Sequence, residues 1–171
     1  MLLKDQRVLL PANPAFIALS LVVAFMISLV PLGHLAWMPQ FWLVVMLFWC
    51  LHQPKYVGIT ALFLAGLVMD VNDTTLLGIH AVAYSIAGCL VMFGSRRILW
   101  FNAFKQMPIV FVVFFTASAI VWMLRLVSGG QWPGWDIMLA PVLETLLWPF
   151  VSLILLAPQR RVPDRDMTRP L

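Results

Sequence analysis

The chain has 171 residues, of which 63% are hydrophobic and only 11% are charged. A soluble domain carries about 25% charged residues, so this composition excludes an ordinary soluble protein, which could not bury so much apolar surface. At about 20 residues per span, the chain is long enough for roughly five or six membrane crossings, and we expect no separate soluble domain.

Six apolar runs follow one another along the chain, separated by short polar or proline-containing segments. The first run lacks a small-residue cleavage site, so we expect it to be retained rather than removed as a signal peptide. The second and third runs are short for a full crossing, which a bilayer accommodates by thinning locally. We therefore predict an all-α integral membrane protein, a six-span transmembrane helix bundle, with spans at about residues 15–32, 38–51, 56–70, 77–93, 107–127 and 137–157. The fourth run is expected to be closed by Gly94, Ser95, Arg96 and Arg97.

Basic residues are divided unequally between the two sides of this predicted bundle. With the N-terminus inside, ten of the 11 Lys and Arg residues fall on the cytoplasmic side, and only Arg125 lies toward the outside. The opposite side collects Asp70, Asp73 and Asp136. Because Lys and Arg near span ends are retained in the cytoplasm, this alternation favours an even number of spans with both termini cytoplasmic.

The domain organisation follows from the same topology. We expect residues 1–171 to form a single transmembrane domain, with a short cytoplasmic N-terminus at 1–13 and a basic cytoplasmic tail at 158–171.

The net charge of +4 is dispersed over several loops. Nucleic acid is therefore not expected as a partner, whereas membrane lipid is.

The end of the third run carries the most informative pattern. Phe63, Gly66 and Asp70 fall on one helix face, because residues three and four apart are neighbours on a helix. Glycine permits close helix contact, and Gly78 suits a tight start to the fourth helix. A carboxylate at a helix C-terminus opposes the helix dipole and needs water, a backbone donor or a basic partner. Two interpretations of Asp70 remain: a loop cap at the outer surface, or a residue that fixes the loop to His80 or joins a groove facing another protein.

The sixth run contains a carboxylate between two prolines. Pro141 and Pro149 are eight residues apart, and we expect them to kink the helix or to leave backbone carbonyls free. Glu144 is a membrane carboxylate, for which Arg125 near the end of the fifth run is the predicted neutralising neighbour. Two roles of Glu144 remain open. It takes part in a proton relay, or it simply pairs with a neighbour or snorkels toward the outer interface.

Residues for catalysis or metal binding are not evident. Cys50 and Cys89 lie inside apolar runs, where a thiol acts as a small hydrophobe. His34, His52 and His80 are far apart and lack the spacing of zinc ligands. We find no phosphate-binding loop and no nucleophile, base and acid set, so we expect neither an enzyme, nor a cofactor, nor a metal site.

The pattern around the third helix resembles the bacterial rod shape-determining protein MreD family. Its residues are Phe63-x-x-Gly66-Leu67-x-x-Asp70, followed by Leu77-Gly78-x-His80-Ala81. The second and sixth helices are also similar to that family, so the resemblance covers nearly the whole chain; the residues concerned are Pro39, Trp42, Trp49, Pro54 and Leu147-Trp148-Pro149.

This resemblance implies a non-enzymatic, multi-pass component of the elongation (rod) complex in the bacterial inner membrane. The implied role is to help maintain rod shape by linking MreC and the peptidoglycan synthesis machinery through transmembrane helix contacts. The implied partners are MreC, MreB, RodA and the penicillin-binding transpeptidase that works with RodA. We expect partner helices to use the Gly66 face and the edge from Asp70 to His80.

The family's fold is similar to that of the substrate-capture subunits of energy-coupling vitamin transporters, and this similarity supplies an alternative function. The chain would then be a small-molecule-binding subunit of a membrane uptake system, with Asp70 lining a pocket that opens outward. Such a site needs several polar or aromatic groups that converge on one cavity. The short outer loops are poor in such groups, so the sequence favours the scaffold.

Overall fold

The computed structural model describes residues 13–29, 38–74, 76–129 and 138–160, and within these ranges it contains helices and no strand. The all-helical class predicted from the sequence is confirmed there. Most of the two predicted terminal segments, together with His34 and Asp136, lie outside the described residues. The helices are α1 (Pro14–Leu29), α2 (Phe41–His52), α3 (Ile59–Asn72), α4 (Ile79–Leu99), α5 (Ala103–Val127) and α6 (Leu139–Leu156). A 3-10 turn over Ala157–Arg160 follows α6.

Helix length separates the six helices into two groups. Among the described residues, three stretches are long and apolar enough to cross a membrane: Ile79–Leu99 with 21 residues, Ala103–Val127 with 25 and Leu139–Gln159 with 21. The helices α1, α2 and α3 have 16, 12 and 14 residues. At 1.5 Å per residue, α2 is only about 18 Å long, against about 30 Å for the hydrocarbon core of a bilayer. Six complete crossings therefore stay a prediction.

The short helix α2 lies at the centre of the bundle. It packs against α1, α4 and α6, and its residues from Leu43 to Leu51 are buried except for the half-buried Val45. A helix that is apolar on all sides is stable when protein surrounds it. Aromatic rings complete this core: the Phe48 and Trp148 centroids are 6.2 Å apart, and those of Phe114 and Trp148 are 6.1 Å apart.

The helices α3 and α4 make the most extensive contact in the bundle. Gly66 allows it, because a Cβ atom at this position would overlap the backbone of His80 and Ala81. The two backbones thus approach as closely as a glycine permits, which is the packing that small residues provide between membrane helices. This contact sets the position of the turn that joins α3 to α4.

The end of α4 differs from the sequence prediction. The helix was expected to close at Gly94 to Arg97, but it continues to Leu99. Two contacts hold this last turn in place. Ile98 is buried in the core, and the Gln106 side chain donates hydrogen bonds to the carbonyl oxygens of Ile98 (3.0 Å) and Phe101 (2.9 Å). The Ile98 carbonyl also accepts the Phe101 backbone N–H at 3.1 Å, so Gln106 adds a second donor at the helix end and binds the turn that follows it.

The two prolines of α6 have different roles, which corrects the prediction that both kink the helix. Pro141 is the third residue of α6, in the first turn, where no intrahelical hydrogen bond is lost. Pro149 lies inside the helix and cannot donate to the carbonyl of Thr145. Of these two prolines, only Pro149 therefore interrupts the backbone hydrogen bonds of α6.

Candidate functional site

Buried and partly exposed polar side chains gather at one end of the bundle, where α3 and α5 end and α2, α4 and α6 begin. We call this the polar end. Hydrogen bonds, ion contacts and one ring contact join its side chains, and we call the joined set the polar network. Its members are Gln40, Asp70, Asp73, His80, Tyr84, Arg125 and Glu144.

Asp70 is the most fully bonded member of the network. Its carboxylate is fully buried and accepts hydrogen bonds from the backbone N–H groups of Gly78 and His80, each at 2.8 Å, and of Ala81 at 3.4 Å. These are amides of the α4 N-terminus, where a negative charge is favoured by unpaired N–H groups and the helix dipole. Asp70 extends from the end of α3 and caps the start of α4.

The turn between α3 and α4 needs unusual backbone conformations. Gly78 has φ +109°, and nothing lies within 4 Å of the position that a Cβ would take. Glycine is therefore needed at position 78 because of the backbone conformation and not because space is short, since only glycine adopts positive φ without cost. Thr74 also has a positive φ, of 51°. The turn is bent so that its amides point at Asp70.

His80 extends the network from Asp70 toward α5. Its Nδ1 lies 2.8 Å from Asp70 Oδ1, so Nδ1 carries the proton and donates to the carboxylate. In the neutral ring, Nε2 is then an acceptor, and it lies 3.5 Å from Arg125 Nη2. Arg125 Nη2 is also 3.5 Å from Asp73 Oδ2. Arg125 and Asp73 are partly exposed, so this pair forms the solvent side of the network.

Glu144 forms the opposite half of the network and joins three helices. It is 1% exposed, and its Oε1 accepts a hydrogen bond from the backbone N–H of Gln40 at 3.0 Å. The Gln40 side-chain oxygen accepts one from the Tyr84 hydroxyl, also at 3.0 Å. The Tyr84 ring packs edge-to-face on His80 with centroids 6.0 Å apart, which connects the two halves. Glu144 Oε2 is buried and has no hydrogen-bond partner among the described residues.

The predicted pairing of Glu144 with Arg125 is wrong in the described part of the chain. Arg125 contacts Asp73 and His80, because the end of α5 lies beside the α3–α4 turn. Glu144 is instead held by the segment that starts α2. The two side chains belong to one network but not to one ion pair.

A second polar contact lies toward the other end of the bundle. The indole N–H of Trp148 donates to the Gln106 side-chain oxygen at 2.9 Å, and both side chains are buried. Gln106 in turn bonds the carbonyls at the end of α4. This contact ties α6 to the α4–α5 turn. Sequence reasoning missed Gln40, Tyr84 and Gln106, although a polar side chain beside or within an apolar run is a signal for such a bond.

The face of α3 that we expected to meet partner helices is occupied by α4. Gly66, Asp70 and His80 are buried inside the bundle, and Leu67 is half-buried. Phe63 is the exception, with 42% of its surface exposed. The exposed face of α3 is mostly apolar and includes Phe63, Leu64, Val68 and Val71.

The chemistry available at the polar end is that of structural hydrogen bonding. Among the described residues, no group of three or more His, Cys, Asp and Glu side chains could hold a metal ion. Carboxylates of the network face backbone amides, an imidazole and a guanidinium. Such an arrangement fixes helix ends relative to one another, because a buried polar group is costly unless it is paired.

Comparison with known proteins gives a consistent result. The family described as rod shape-determining protein MreD matches residues 9–157. The rod shape-determining protein MreD of Haemophilus influenzae is 26% identical over 147 residues, which cover 82% of this chain and 88% of that relative. No solved structure matches the chain. The matched region contains all six described helices and the whole polar network.

Proposed function

This chain belongs to the MreD family of rod shape-determining proteins, and from that premise we propose that it is a non-enzymatic scaffold of the bacterial rod complex. It links MreC to the peptidoglycan synthesis machinery through transmembrane helix contacts and so helps maintain rod shape. Family membership and the three long apolar helices fit an inner-membrane protein. In this proposal residues 1–171 form one six-span domain with both termini in the cytoplasm.

The observation that carries the scaffold proposal is the polar network. It joins the ends or starts of α3, α4, α5 and α6 and the residue before α2 by contacts within the chain. Hydrogen bonds between buried polar groups restrain the elements that they join. A bundle fixed in this way presents its outer helix faces in a constant arrangement, as a protein that assembles other membrane proteins requires.

We place the partner contact on the exposed face of α3. This helix packs chiefly against α4, so its other side is open to lipid or to another helix. Leu64, Val68 and Val71 follow one another at spacings of four and three residues and are 57%, 46% and 67% exposed. A transmembrane helix of MreC can pack along such a stripe. RodA with its transpeptidase and cytoplasmic MreB complete the proposed assembly.

The alternative of a small-molecule-binding subunit has less support. A binding pocket needs polar groups that are free to meet a ligand. Asp70 and His80, the residues expected to line it, are instead bonded to each other and to the start of α4. We therefore retain the scaffold as the proposed function.

Depletion in a rod-shaped bacterium tests this function directly. Cells that lose the protein should round up, and a plasmid copy should restore the rods. Unchanged shape together with a nutrient requirement would instead support the uptake alternative.

Photo-crosslinking tests the proposed partner surface. A photo-reactive amino acid replaces Val68 on α3, and a matched control replaces Ile154 on α6, which is 68% exposed. Capture of MreC from position 68 and not from position 154 supports the α3 surface. Capture of MreC from position 154 alone would place the interface on another face.

A further inference from the structure

The end of the bundle opposite the polar end, where α4 ends and α5 begins, exposes large aromatic and basic side chains together. Phe93 and Trp100 are 89% and 90% exposed, and Arg96 and Arg97 between them are also exposed. At the start of α5, Lys105 is exposed. We call these five residues the basic corner.

The geometry of α4 places four of these residues on one face. Residues three, four and seven positions after Phe93 return to its side of a helix, and these are Arg96, Arg97 and Trp100. The other side of the same turn is held in the core by Ile98, which is 1% exposed. Because Gln106 bonds the carbonyls at this helix end, the face belongs to an ordered turn.

Charge at the basic corner is not balanced by the residues that the structure describes. The sequence contains no Asp or Glu between Asp73 and Asp136. Among the described residues, neither Arg96, Arg97 nor Lys105 forms an ion pair. Within the described part of the chain the corner is thus a cationic surface flanked by aromatic rings, and it suits an occupant that carries negative charge beside apolar groups.

The length of α4 indicates the depth in the membrane at which this occupant lies. Its 21 residues span about 31 Å, close to the roughly 30 Å thickness of the hydrocarbon core. When Ile79 is near one boundary, Arg96 and Arg97 lie near the other, at the depth of lipid phosphates. Guanidinium groups bind phosphate oxygens in bidentate fashion, and aromatic rings favour the headgroup boundary.

We propose that the basic corner is a binding surface for anionic phospholipid in the adjacent leaflet, with Arg96 and Arg97 on the lipid phosphate, Phe93 beside the upper acyl chains and Trp100 at the level of the headgroups. The surface is separate from the partner contact proposed on α3. It requires that α4 spans the bilayer, and it does not depend on which partner proteins the bundle binds.

Lipid selectivity of the reconstituted full chain tests the proposal. Electron spin resonance compares the motionally restricted fraction of spin-labelled phosphatidylglycerol with that of spin-labelled phosphatidylcholine, both in vesicles that contain the purified protein. We expect the wild type to prefer phosphatidylglycerol. The variant R96Q/R97Q should reduce this preference by roughly tenfold or more, because it removes two basic residues that attract anionic lipid to the surface.

Two control variants make the result specific. The variant R96K/R97K keeps the charge and should retain most of the preference, whereas R160Q/R161Q removes two charges from the predicted tail and should leave it nearly unchanged. Circular dichroism confirms that each variant remains helical. Equal preference in wild type and R96Q/R97Q would overturn the proposal, as would an equal loss in R160Q/R161Q, which would mean diffuse attraction. A different result would also overturn the proposal: R96Q/R97Q could keep the lipid preference of the wild type but no longer pull down an acidic cytoplasmic protein. The corner would then be the binding surface for that protein.

Discussion

Gly66 of α3 lies directly against the backbone of Ala81 in α4, so closely that a Cβ atom on Gly66 would overlap it. One turn further along α3, Asp70 accepts hydrogen bonds from the first amides of α4. The two contacts depend on each other, because the carboxylate reaches those amides only while the helices remain close. The α3–α4 pair is therefore the part of the bundle where single substitutions should have the clearest effects.

Substitution Gly66→Leu should destabilise the bundle by about 1–3 kcal/mol or more, since the side chain must force the two helices apart. Thermal unfolding of the purified protein in detergent measures the change in Tm. The matched control is Gly58→Ala, where a Cβ would make an ordinary 3.5 Å contact with the Pro54 carbonyl oxygen. A control variant as unstable as Gly66→Leu would contradict the close-packing explanation.

Substitution Asp70→Ala should cost about 1–3 kcal/mol in unfolding free energy, because buried amides at the start of α4 lose their acceptor. Asp70→Asn keeps one side-chain oxygen and should lose less. The partly exposed Asp73 serves as control, and Asp73→Ala should change stability by about 1 kcal/mol at most. Denaturant titration followed by circular dichroism ranks the three variants. Equal losses at positions 70 and 73 would argue against the capping role.

Substitution Gly78→Val should strain the α3–α4 turn, since a β-branched residue disfavours a φ of +109°. Gly78→Asn should be tolerated better, because asparagine enters the left-handed region more readily. Expression level and Tm of the two variants make the comparison. There is open space around this position, so similar stability of the two variants would mean that backbone conformation is not the limiting factor.

Substitution Glu144→Gln should leave stability equal to or above that of the wild type. Glutamine keeps an oxygen for the Gln40 amide and avoids burying a carboxylate charge, whose Oε2 has no hydrogen-bond partner in the described part of the chain. Glu144→Leu removes that acceptor and should lose about 1–3 kcal/mol. Unfolding in detergent measures both changes.

The same two variants separate a structural role of Glu144 from proton relay. If the residue only holds α2 and α6 together, Glu144→Gln should restore rod shape in depleted cells as well as the wild type does. A stable Glu144→Gln protein that fails to restore shape would instead show that the ionisable group itself is needed.

Some features of this protein are determined by sequence alone. Composition and the apolar runs predict an all-helical membrane protein, because charge and hydropathy act without reference to tertiary contacts. The spacing of Gly66, Asp70, Gly78 and His80 predicts a close helix contact and a carboxylate at a turn. Both are short-range properties, since all four residues belong to one helix pair and the turn between its members.

Other features are decided only by tertiary structure. The sequence could not show that the Gly66 face packs on α4 of the same chain, because a small residue serves an internal and an external contact equally well. Glu144 meets Gln40, which is 104 residues away, and α4 extends to Leu99 because Gln106 bonds its terminal carbonyls. Such pairings depend on how the helices pack, and a periodicity that repeats every few residues carries no information about which distant residues become neighbours.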